Sequence, residues 1–73
     1  QEKDYLQAIS YLEKALEARG YQENAEVYYY LGMSYDKINE KVKALDFLSR
    51  IIKIAPQSEF AREAEKEIKK INK

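Results

Sequence analysis

The 73 residues contain no cysteine, no histidine and no tryptophan. Disulfides, thiolate or imidazole metal sites, and Cys or His nucleophiles and bases are thereby excluded. The missing cysteine leaves cytosol and bacterial periplasm equally open as compartments. Proline occurs once and glycine twice, so the chain has few helix breakers, while Ala, Leu, Glu and Lys are plentiful. No apolar run is long enough to span a bilayer, and the opening Gln1-Glu2-Lys3-Asp4 has no signal-peptide pattern. No methionine stands at position 1, which suggests a piece of a longer protein. A chain of this size buries only about 60% of its unfolded surface, so a single small domain is expected.

Charge of one sign is also missing, with 13 basic and 13 acidic side chains. They are unevenly placed. Residues 1–40 carry eight acidic and four basic groups, and residues 41–73 carry five and nine. The basic end, with Lys66, Lys69, Lys70 and Lys73, is interleaved with glutamates, which disfavours nucleic-acid binding. Enzymatic chemistry is equally poorly provided for. Ser10, Ser34, Ser49 and Ser58 have no His to activate them. The isolated Gly20 and Gly32 make no phosphate loop. No catalytic residue, metal ligand, cofactor or small-molecule substrate is expected, and no membrane contact from this segment.

What is present is helical periodicity, in four runs. The first spans residues 4–19, with Tyr5, Ala8, Ile9, Leu12, Ala15 and Leu16 on one face, Asp4 as N-cap and Gly20 as terminator. "YQEN" follows as a loop, with Asn24 as the next cap. The second run, Ala25 to Ile38, holds "VYYYLGMSY" and stops where Asn39 can take positive φ. The third, Lys41 to Ala55, repeats the spacing with Val42, Ala44, Leu45, Leu48, Ile51, Ile52 and Ala55 before Pro56. Ser58 caps a fourth, residues 59–72, whose thin apolar face is Phe60, Ala61, Ala64, Ile68 and Ile71. Its charged remainder includes a Glu65–Lys69 pair one turn apart. The expected fold is all-α, about four helices in antiparallel helix–turn–helix order.

The chain also repeats itself. Ala8, Ile9, Leu12 and Ala15 superpose on Ala44, Leu45, Leu48 and Ile51 at a spacing of 36 residues. Between them stand Tyr28, Leu31-Gly32, Tyr35, Ala44, Leu48 and Pro56 at fixed intervals. In this pattern the sequence resembles the tetratricopeptide repeat, a helix–turn–helix unit of 34 residues. The small Gly32 and Ala44 let paired helices approach, and Tyr28, Leu31, Tyr35 and Leu48 fill the space around them. Departures are Ile51 at a usually small position, Lys41 where an aromatic is common, and two extra loop residues. The resemblance divides the single domain 1–73 into the second helix of a preceding repeat (4–19), a complete repeat (25–56) and a capping or degenerate helix (59–72).

On a wheel of about 100° per residue, Leu31, Gly32 and Tyr35 fall within roughly 60° of Tyr28 and form a seam. Val27, Ser34 and Ile38 flank it on one side. Glu26, Tyr29, Met33 and Asp36 flank it on the other, and Tyr30 and Lys37 point away from it. The resemblance implies a concave groove lined by the first helix of each repeat, which binds a protein or peptide segment. Glu26, Tyr29, Met33, Asp36 and Lys37 correspond to it. An alternative for Tyr29 and Tyr30 is that they cover neighbouring helices. The positions at which relatives grip a terminal carboxylate with Lys and Asn hold Tyr29 and Met33, which speaks against that subtype. A second echo, Pro56, Ser58, Ala61 and Ala64, is similar to repeat junctions of bacterial envelope scaffolds. Finally, the first helix lacks a partner for its apolar face, and pairing with another copy as a homodimer would cover it.

Overall fold

The computed structural model describes residues 2–18 and 24–72. They form four α-helices: α1 Glu2–Ala18, α2 Ala25–Lys37, α3 Lys41–Ile54 and α4 Glu59–Ile71. No strand occurs among the described residues. Successive helices pack side by side, α2 also touches α4, and α1 and α3 make no direct contact. The helices thus lie in two layers, α2 with α4 and α1 with α3. The shortest dimension, 17 Å, is about two helix-packing distances.

Local chemistry sets the boundaries. Asn24, in extended conformation, accepts the Val27 amide on its side-chain oxygen at 3.1 Å and starts α2. At the other end of α2, Asn39 takes φ 67° and the Glu40 amide reaches back to the Tyr35 carbonyl at 2.8 Å. This closes the helix as a left-handed C-terminal motif and turns the chain straight into α3. Lys41 clamps the same turn through Asp36 at 2.8 Å. The Ser58 hydroxyl accepts the Ala61 amide at 3.1 Å and donates to the Ala55 carbonyl at 2.8 Å, so one side chain joins the end of α3 to the start of α4.

The core is centred on α2 and α3. Leu31, Ala44, Leu48 and Ile51 are fully buried, with Tyr28 and Tyr35 nearly so. Ile9 and Leu16 complete it from α1, and Ala61 and Ala64 from α4. Gly32 is where α2 and α3 come closest. A Cβ there would meet Leu48 Cγ and Cδ2 at 2.8 Å and the Ala44 carbonyl oxygen at 3.4 Å. Tyr28 and Tyr35 bracket this point, both against Phe47, at centroid distances of 5.7 and 5.8 Å. The Tyr35 hydroxyl donates to Glu13 at 2.7 Å and ties α2 to α1.

Several expectations need correction. Asp4 is not an N-cap, because α1 is already helical at Glu2 and Asp4 falls in its first turn. Val42 is not on the apolar face of α3. It is 81% exposed, since two residues before Ala44 means about 200° around the helix. The ion pairs on α4 are Glu63–Lys66 and Glu67–Lys70, three residues apart, and not Glu65–Lys69. Pro56 is exposed and stands two residues past the end of α3, where the sequence places it as the stop. Gly20 and the loop before Asn24 lie outside the described residues.

Candidate functional site

Because α2 and α4 share a layer, the flank of α2 carrying Tyr29 and Met33 meets one face of α4. Tyr29 is half-buried, its ring 5.7 Å from that of Phe60 and 5.7 Å, edge-on, from that of Tyr30. Further along, Met33, Asp36 and Lys37 line a cleft with Lys41 and with Glu67, Lys70 and Ile71 of α4. The α2–α4 seam is therefore aromatic where both helices begin and opens into a polar cleft where they finish.

Its electrostatics follow from that layout. Burial, then the Glu63 and Glu67 carboxylates and Tyr30, push the Tyr29 phenol up from its ordinary value, and Lys70 opposes them. Tyr29 accordingly keeps its proton and can donate a hydrogen bond. Asp36 is held by Lys41, and Glu67 by Lys70 at 3.4 Å. These pairs leave Lys37 as the cleft's cation without an ionic partner among the described residues. The cationic ends also lie where α2 and α4 terminate, as their dipoles favour.

Of the five expected groove residues, Met33, Asp36 and Lys37 share the cleft, while Tyr29 packs on Phe60 and is not among the residues lining it. Glu26 is exposed in the first turn of α2 and is not among the residues lining the cleft. Tyr29 covers a neighbouring helix, α4, which is the alternative raised for it. Tyr30 is half-exposed and touches Tyr29 by its ring edge. Sequence reasoning missed the far wall, Phe60, Glu67, Lys70 and Ile71. A signal for it existed. Glu67 falls within about 20° of Phe60 and about 40° of Ile71 on the wheel, a carboxylate set into an apolar stripe. Its side chain is only 14% exposed.

Chemically, the depression offers a rigid aromatic surface, an adaptable thioether and an ion-paired rim. It suits recognition of another chain's side chains. Among the described residues no group of three or more acidic ligands is placed to hold a metal ion, and no helix is long and apolar enough to cross a membrane. A sequence model of the tetratricopeptide repeat matches residues 1–71. No curated protein and no solved structure gives a match.

Proposed function

The chain belongs to the tetratricopeptide repeat family, a family of protein–protein interaction modules, and from that premise we propose that it binds a protein or peptide segment along the α2–α4 depression. One observation carries this reading. Met33, Asp36 and Lys37, from one flank of α2, line a cleft with Glu67, Lys70 and Ile71 of α4, and Tyr29 packs on Phe60 between the same two helices. A bound segment sets an apolar side chain against Tyr29, Phe60 and Met33, and its polar groups against the lysine end. In this reading residues 25–56 form a complete repeat, α1 is the second helix of the one before, and α4 caps the stack. Lys66 and Lys70 are engaged by Glu63 and Glu67, which weighs against α4 as a nucleic-acid surface. Nothing in the geometry favours the envelope scaffold over other interaction partners.

The test begins with peptides selected from a display library on the whole chain. Met33→Ala with Lys37→Ala should lower the affinity of a selected peptide about tenfold, as for a small cluster of contact residues, with an unchanged melting midpoint. Equal affinity for the variant and the parent chain would remove the groove assignment. Tyr29→Ala is less suitable, because its contact with Phe60 also holds α4.

A specific observation favours self-association as a second property. Tyr11 of α1 is 74% exposed, and Ala8, Leu12 and Ala15, within about 100° of it around the helix, are only half-buried. We propose that two copies pair through this face. Sedimentation should show a dimer that Tyr11→Glu returns to monomer; a monomer mass at every concentration would refute it.

A further inference from the structure

A second cleft, of about 400 Å³, opens in the other layer, between α1 and α3. Leu16 and Tyr28 form its floor, Phe47 and Arg50 one wall, and Glu13 and Glu17 the other. We propose that this cleft is a docking site for an arginine side chain presented by a partner protein.

The argument rests on what the two walls have done with their charges. Arg50 is satisfied on its own side. It bonds Asp46 of the same helix at 2.9 Å, and its guanidinium lies 5.1 Å from the Phe47 ring centroid and 5.9 Å from that of Tyr28. The rings on this side of the molecule therefore already accept a guanidinium on their faces. The opposite wall is in the reverse condition. Glu13 and Glu17 stand one turn apart on α1, where like charges repel. The last turn of α1 among the described residues carries no basic side chain, so the negative end of the helix dipole adds to theirs. Glu13 accepts one hydrogen bond, from Tyr35, which leaves its charge in place. Neither glutamate forms an ion pair among the described residues. An incoming guanidinium relieves both charges on the acidic wall. Arginine fits better than lysine because its planar fork can meet a carboxylate with two bonds, where an ammonium offers only a point charge.

This site lies in the opposite helix layer from the α2–α4 depression and does not depend on it. The test uses the full chain, with N-acetyl-arginine amide as probe and the Tyr28 and Phe47 ring resonances as readout. The arginine probe should shift both rings at low salt, and the neutral isostere N-acetyl-citrulline amide should not. Glu17 is exposed, so Glu17→Gln should keep the helical circular dichroism. It should weaken the probe about two- to fivefold, the range of an exposed ion pair, and half-molar salt should act in the same direction. Equal shifts with citrulline, or an unchanged affinity in Glu17→Gln, would overturn the proposal. Tighter binding of free arginine than of the capped form would also overturn it, by assigning the cleft to a small molecule.

Discussion

Helices α1 and α3 carry the same apolar pattern 36 residues apart, yet they live in different surroundings. Ala44, Leu48 and Ile51 are fully buried because α2 and α4 both press on α3. Their counterparts Ala8, Leu12 and Ala15 stay half-buried because α1 packs on α2 alone. The aromatic one residue earlier shows the contrast most clearly. Phe47 is wedged against Tyr28 and Tyr35, whereas the equivalent Tyr11 is 74% exposed. The same residues, then, make a core or a surface according to how many helices stand beside them.

That comparison should break first at its leucines. Leu48→Ala is expected to destabilise by about 2–5 kcal/mol, the cost of a cavity in a closed core. Leu12→Ala should cost less, about 1–2 kcal/mol, since part of its area is in water to begin with. Urea unfolding of the two variants would measure the gap, and equal losses would mean that α1 is covered as well as α3.

The next effect in size belongs to the close approach that α1 lacks. Gly32→Ala places a methyl group 2.8 Å from Leu48, at about 1–3 kcal/mol of overpacking. About 1 kcal/mol returns through helix propensity, so a net loss of up to about 2 kcal/mol is expected in thermal melts. A stabilising result would show that α2 and α3 can separate without loss.

The smallest effect sharpens the link between the two regions, the Tyr35–Glu13 hydrogen bond. Burial and that carboxylate push the Tyr35 phenol up to about 12. The folded state therefore holds its proton more tightly than the unfolded chain, where the phenol titrates near its ordinary value of about 10. The resulting stabilisation is complete below about pH 10 and is lost as pH rises toward 12. Tyr35→Phe should cost about 1 kcal/mol at neutral pH and flatten the decline in unfolding free energy above pH 10. A decline as steep in the variant as in the parent would assign it to other groups.

Much of the fold could be read from the chain because its signals are local. Asn24, Asn39 and Ser58 act within three or four residues of themselves, and Tyr28, Leu31, Gly32 and Tyr35 share one side of one helix. Errors came where a pattern was extended past its angular limit, as with Val42, or a cap was placed inside a longer helix, as with Asp4. The recognition surface was half legible. Met33, Asp36 and Lys37 are marked by their position on α2, but Phe60 and Glu67 belong to the same surface only because α4 lies beside α2. Periodicity states which way a residue faces and is silent on what it meets.

That α1 touches neither α3 nor α4 has a kinetic consequence. Every packed pair joins neighbours in the chain or next-neighbours, so folding proceeds through short loop closures, which are fast. The α2–α3 hairpin, with the fully buried side chains, is the natural nucleus, and the outer helices add to it from either end. Opening runs in reverse, as in a one-dimensional stack. Amide hydrogens of α1 should exchange by detachment of that helix alone, while those around Leu31 and Leu48 wait for the whole chain to unfold.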